Sequence, residues 1–149
     1  MWRKRRKLKD KVERKDVEEF CDSILKDERQ NVRVRQNDWV KRKSEVWNTY
    51  RLLFAKANES ITIMSSYFLP GRTYRKLLSR ASASGVKVRV ILAGKSDVAI
   101  SKNAERYLYD WLLQKNIEIY EFETTVLHAK MSVADNDMVT IGSYNVNNI

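Results

Sequence analysis

His128 is the one histidine in the 149 residues, and Lys130 stands two positions after it, followed by Asp135, Gly142, Ser143 and Asn145. An imidazole, with an ordinary pKa near 6.5, is a good neutral-pH nucleophile towards phosphorus when cations or amide donors draw charge off the phosphoryl oxygens. Period-two spacing along a strand puts His128 and Lys130 on one face, aimed at one phosphate. Asn145 falls just past the next expected strand, where its amide can donate to a non-bridging oxygen, with Ser143 and nearby backbone N–H groups as further donors. Asp135 lies one strand length from Lys130, which suits a supporting role better than direct chemistry. Alone, a strand histidine is ordinarily a packing or surface residue. Six ordered positions at about 5% usage each match by chance on the order of once in 10^8 starts, which makes His128 a candidate nucleophile or general acid.

Such a set needs a sheet to hold it, and the stretch from Glu59 onward alternates strand and helix patterns. Residues 61–64 are a short apolar run, residues 86–92 are rich in β-branched side chains, and Gly94 ends the second run. Between them the Pro70 and Gly71 pair breaks the chain, and Tyr74, Leu77, Leu78 and Ala81 mark a helix closed by Gly85. A helix over residues 100–114 is expected to bury Ala104, Tyr107, Leu108, Trp111 and Leu112. Strands follow at 117–121, 130–134 and 138–141, the last two joined at residues 135–137. Strand-helix-strand repetition predicts an α/β domain, a mixed and largely parallel sheet with helices on both faces. Loops after the C-terminal ends of parallel strands commonly line binding sites, which makes Tyr67, Phe68 and Pro70, and more weakly Ser96 and Asp97, candidates for a pocket mouth.

The first half reads differently. Leu8, Val12, Phe20 and Ile24 form one stripe on a charged amphipathic helix spanning about the first thirty residues, residues 31–38 alternate as a short strand, and a helix over 38–58 has Asp38 as its candidate cap. The aromatic residues Trp39, Trp47, Tyr107, Tyr109 and Trp111 read as helix core rather than as a base-stacking platform. The chain is therefore read as a basic amphipathic helix or linker over 1–31 and one domain over 32–149.

The net charge of +10 is concentrated at the start, where residues 1–15 hold nine Lys or Arg against two carboxylates. That run is a solvated tail or a surface for anionic lipid headgroups, each cation contributing about 1 kcal/mol near a leaflet. No apolar run approaches the roughly 18 to 20 residues of a membrane span, and nothing resembles a signal peptide. Cys21 has no second cysteine to pair with, which points to a reducing compartment and excludes paired-cysteine metal sites. No Gly-rich phosphate loop or carboxylate metal cluster is visible, so no cofactor and no metal are expected.

The order of His128, Lys130, Asp135, Gly142, Ser143 and Asn145 resembles the HxKxxxxD and GSxN signature of the phospholipase D superfamily. Residues 66–70, 84–88, 94–97, 119–121 and 127–130 are similar, in the same order, to the C-terminal half of bacterial cardiolipin synthases. That resemblance implies a phosphatidyltransferase passing through a phosphohistidine, with phosphatidylglycerol as donor and acceptor and glycerol as leaving group. A second histidine would come from another such half, in a parent chain or in a homodimer partner. It also implies a fragment of a longer protein, ending soon after GSxN and before the glutamate that orients the motif histidine. The expected location is peripheral, on the cytoplasmic side of the bacterial inner membrane, within a membrane-anchored parent. The other branch implied is a single-motif homodimeric phosphodiesterase or endonuclease of the superfamily, with nucleic acid as substrate.

Overall fold

Alternating apolar residues create the two middle strands of the sheet. In β4 (Ser60–Ser65) Ile61, Ile63 and Ser65 are buried and the residues between them half-buried; in β5 (Lys87–Ala93) Val88, Val90, Leu92 and Ala93 are buried. The structure, a computed structural model, describes residues 6–7, 31–38, 40, 43–95 and 99–146. β4, β5 and β6 (Glu118–Phe122) run parallel, and β7 (Lys130–Ala134) and β8 (Met138–Ile141) continue antiparallel on the other side of β4. β1 (Arg6–Lys7) lies parallel to β6, completing the order β1-β6-β5-β4-β7-β8, and β2 (Asn37–Asp38) pairs with β3 (Lys43–Ser44) separately.

The helices are α1 (Glu45–Lys56), α2 (Arg72–Ala83), α3 (Ala99–Tyr107) and α4 (Tyr109–Gln114). α2 and α4 enter their next strands through the same device. After α2, Gly85 has φ +95, Val86 N–H donates to Ala81 O and Gly85 N–H to Ser82 O; after α4, Asn116 has φ +55, Ile117 N–H donates to Leu112 O and Asn116 N–H to Leu113 O. Both are Schellman closures, with a residue that tolerates the left-handed region and a buried apolar residue directly after it.

Tyr50, Leu53 and Phe54 of α1, Tyr74, Leu78 and Ala81 of α2, and Tyr109 and Leu112 of α4 form one core with the inward residues of β4 and β5. Each fully buried apolar side chain contributes about 1.5–3 kcal/mol relative to exposure. The α/β class and the mixed sheet are as expected. The crossovers from β4 through α2 to β5, and from β5 through α3 and α4 to β6, step in one direction. Crossovers of that kind are right-handed as a rule, and α2 and α4 pack on the face that carries the inward residues of β4 and β5. The opposite face carries Thr62, Met64, Arg89 and Ile91, all half-buried.

Four local expectations are corrected. Arg6 and Lys7 form strand pairs with Tyr120 and Glu121 instead of helical turns; the rest of the expected first helix, including Leu8, Val12, Phe20 and Ile24, lies outside the described residues, as does Trp39. Val32 and Val34 are exposed on a segment without regular structure, because strand pairing begins only at Asn37. α1 starts at Glu45, and the carbonyl of the Asn37 side chain, not Asp38, accepts the Val46 N–H at 3.1 Å. Finally, the helix expected over 100–114 is broken at Leu108. Lys102 and Glu105 are buried where Ala104 and Tyr107 were expected, and both of those are exposed.

Candidate active site

Lys130 is paired with Ser65 at the C-terminal end of β4, and residues directly opposite in an antiparallel ladder share a face. It therefore projects to the same side as the buried Ser132 and Ala134. The Ser66 N–H donates to Ala129 O at 3.1 Å, fixing the residue between the histidine and the lysine to the start of the β4–α2 loop. Lys130 Nζ lies 3.1 Å from His128 Nε2. An ammonium has only donors, so in a hydrogen bond from Lys130 it is His128 Nε2 that accepts, on an exposed ring. Lys130 itself is half-buried.

The second part of the motif is stitched beside the first. Gly142 N–H donates to Lys130 O at 3.1 Å, so the segment leaves β8 alongside the end of β7 that carries Lys130. Tyr144 turns into the aromatic core, with its ring 5.4 Å from that of Tyr50 and its hydroxyl 3.5 Å from that of Tyr74. Val146 is buried, and its carbonyl accepts the Leu69 N–H at 3.2 Å. With Tyr144 and Val146 anchored, the positions of Ser143 and Asn145 are set by the core. Ser143 is exposed, whereas Asn145 is half-buried and its side-chain Oδ1 is buried without a hydrogen-bond partner among the described residues. An orphaned buried amide oxygen costs about 1–3 kcal/mol and calls for a donor.

Asp135 is elsewhere. It begins the turn between β7 and β8, where Asp135 and Asn136 have φ +52 and +62, at the opposite end of β7 from Lys130, roughly 17 Å along the strand. Its carboxylate accepts the N–H groups of Asn58 at 2.7 Å, Glu59 at 2.8 Å and Ser60 at 2.9 Å. Those donors, the Ser60 N–H first, hold its pKa below the usual carboxylate value.

A cleft of about 30 Å³ adjoins His128, lined by Ser66, Tyr67, Ala93, Lys95, Val126 and Leu127. Tyr67 thus borders the site as expected for a loop after β4. Phe68 does not: it is completely buried in the core, because the β4–α2 loop turns inward there. Pro70 is buried too. Ser96 and Asp97 lie outside the described residues. Ser66 and Lys95 were missed by sequence reasoning, since only the parallel pairing of β4 with β5 brings the two loops together.

Also missed was a buried polar network under the cleft. Lys102 Nζ donates to Ala93 O at 2.6 Å, Glu105 Oε1 at 2.7 Å and the Tyr109 hydroxyl at 3.0 Å, while Glu121 Oε1 lies at 3.2 Å. Tyr109 donates to Glu121 at 2.8 Å, and Glu105 Oε2 accepts the Phe68 N–H at 3.1 Å. Burial raises the pKa of Glu105, opposed by Lys102; burial first, then the adjacent Glu105 carboxylate, raises that of Tyr109. The signal in the sequence was Lys102, Glu105 and Tyr109 at helical spacing with a glutamate on the next strand. Among the described residues no group of three His, Cys, Asp or Glu is placed to hold a metal ion, and no helix is long and apolar enough to cross a membrane.

The profile of a family described as "Cardiolipin synthase, PLD-like domain" matches residues 50–148. Cardiolipin synthase B of Escherichia coli K12 is 27% identical over 104 residues, 70% of this chain and 25% of that protein. The probable cardiolipin synthase YwiE of Bacillus subtilis is 31% identical over 104 residues, and cardiolipin synthase 1 of Bacillus anthracis 34% over 99 residues. These matches cover 70% and 66% of the chain, but only 21% and 19% of those proteins. Among solved structures, the phospholipase D family member Nuc of Salmonella typhimurium superposes with a TM-score of 0.56 at 22% identity, covering 69% of this chain and 66% of that one. NucT of Helicobacter pylori gives 0.51 at 18%, covering 68% and 67%. Both share the fold. The chain belongs to the phospholipase D-like domain family of the cardiolipin synthases.

Proposed function

We propose that this chain is one catalytic half of a phosphatidyltransferase of the cardiolipin synthase type. The observation that carries the proposal is the 3.1 Å contact between Lys130 Nζ and His128 Nε2 at an exposed edge, beside the anchored segment that holds Ser143 and Asn145. His128 Nε2 attacks phosphorus of phosphatidylglycerol, forming a P–N bond as the P–O bond to the terminal glycerol breaks. The leaving oxygen takes a proton from the histidine of a second half. That histidine then accepts the proton of a hydroxyl on another phosphatidylglycerol, whose oxygen attacks phosphorus and releases His128, giving cardiolipin and glycerol. Lys130 and Asn145 bind non-bridging oxygens, where charge grows in each transition state, and Ser143 adds a donor. Asp135 acts on the frame, holding the start of β4 to the β7–β8 turn.

His128 is exposed at the rim of a small cleft, which leaves its open side free for a second half to close over the phosphodiester. The supporting comparison is the match to relatives named cardiolipin synthase, of which the chain spans a quarter or less. Under this reading the substrate lies in a bilayer, and the protein works at the cytoplasmic surface of the bacterial inner membrane, with residues 1–15 as an additional basic contact.

A specific observation favours a second reading, a homodimeric phosphodiesterase or nuclease with one motif per subunit. Nuc and NucT share the fold over about two thirds of their own length, far more than the share of the synthases that is matched. Incubation with labelled phosphatidylglycerol separates the two. Cardiolipin and free glycerol are the products expected of the transferase. Cleavage of DNA or bis(p-nitrophenyl)phosphate with no lipid product would replace that reading with the nuclease.

A further inference from the structure

The solvent side of α2 carries Arg72, Arg75, Lys76 and Arg80, and the helix contains no carboxylate. Arg72, Lys76 and Arg80, all exposed, recur every four residues and so form one stripe about 12 Å long. Together with Ser79 and Trp111 of α4, the four cations line a shallow depression of about 360 Å³. This arrangement works against the helix: like charges four apart repel, and Arg72 in the first turn opposes the macrodipole.

Some described cations are paired: Lys87 and Arg89 meet Glu118, Arg35 meets Glu45 and Lys102 meets Glu105, whereas Arg33, Lys56 and Arg106 are unpaired among the described residues but scattered. Among the described residues no ion pair neutralises any of the four on α2. A row of unneutralised cations bordering a depression is complementary to a surface of phosphate charges.

Trp111 points to one kind of polyanion. It is half-buried, packed in part against the core, with the Arg75 guanidinium 5.9 Å from its ring centroid and the remainder lining the depression. An indole fixed between apolar side chains and cations suits the headgroup layer of a bilayer, where tryptophan concentrates and cations meet anionic lipid. We propose that Arg72, Arg75, Lys76 and Arg80, with Trp111 at their border, dock the protein on an anionic bilayer. None of these residues lines the His128 cleft, so the surface is independent of the chemistry assigned to the motif.

The test is co-sedimentation of the full chain with phosphatidylcholine vesicles, with and without phosphatidylglycerol, over a range of salt. Arg72→Gln/Lys76→Gln/Arg80→Gln is expected to bind the anionic vesicles about a hundredfold more weakly than wild type, with unchanged circular dichroism. Arg33→Gln/Lys56→Gln/Arg106→Gln removes the same charge from scattered exposed positions and is expected to lose much less. Equal loss in both variants, or none in the first, would overturn the assignment. So would equal wild-type binding to neutral vesicles. If the α2 variant instead lost affinity only for a single-stranded oligonucleotide, the surface would be a nucleic-acid site and the bilayer proposal would fail.

Discussion

Asp135 and Ser60 hold each other by reciprocal hydrogen bonds: the Asp135 N–H donates to Ser60 O at 3.0 Å, and the Ser60 N–H donates to Asp135 Oδ1 at 2.9 Å. The pair fastens the first residue of β4 to the β7–β8 turn, and the Asn58 and Glu59 N–H groups complete the cradle. Because these donors depress the folded-state pKa of Asp135, the stability its charge contributes is present above the ordinary carboxylate pKa. It is lost as the pH falls through the lowered folded value. Asp135→Asn keeps a side chain that tolerates φ +52 and removes the charge. The variant is expected to melt at a lower temperature at neutral pH, with the gap closing in strong acid. A gap of constant size across that range would refute a charge-based role.

Lys130 and Asn145 are assigned to the transferring phosphoryl group, and a donor of that kind is worth about 10²–10³ in kcat. Lys130→Met and Asn145→Ala are each expected to reduce phosphodiester turnover by that factor, and His128→Ala to abolish it. Lys130 is only half-buried, so Lys130→Met should leave the melting temperature close to wild type. A turnover loss that follows a fall in melting temperature would make these residues structural. The kinetic assay is run beside a thermal melt of each variant.

A single histidine, exposed at the rim of its cleft, predicts a site shared between two halves. Mixing His128→Ala with wild type at constant total protein discriminates. If each site draws one histidine from each copy, activity falls with about the square of the wild-type fraction, because mixed pairs are dead. Independent sites give a straight line. Measuring turnover across the mixing series, after time for subunit exchange, reads the difference directly.

Much of this was legible in the sequence because local rules were enough. An apolar run marked β4 and a β-branched one β5, Gly85 marked the end of α2, and the ordered spacing from His128 to Asn145 marked the candidate site. Hydrophobic periodicity failed over residues 100–114, where a break at Leu108 shifts the helical phase and a charged network takes the buried positions. A pattern that scores Lys102 and Glu105 as polar must point them outward, and Tyr107 is then placed inside although it is 86% exposed. Phe68 and Ser66, two residues apart, were indistinguishable until the loop's own hydrogen bonds sent one into the core and the other to the cleft.

The Lys102 network yields the last prediction. A buried cation bonded to Glu105 and lying within 3.2 Å of Glu121 is costly to remove alone, because two carboxylates are left uncompensated beside Tyr109. Lys102→Met is expected to cost about 3–5 kcal/mol, and Lys102→Met/Glu105→Met less than the single change. Glu105 has a folded pKa raised by burial, so the stability tied to it is present below the ordinary glutamate pKa and is lost as pH rises through the folded value. The deficit of Lys102→Met should therefore be largest at neutral pH and shrink in mild acid, where Glu105 takes a proton. The effect reaches the site because Glu105 holds the Phe68 N–H, and the same loop holds Ala129 through Ser66. Faster hydrogen exchange at the Phe68 and Ser66 amides is expected in Lys102→Met. Unchanged exchange there, with global stability lost, would show that the network supports the core without positioning the loop.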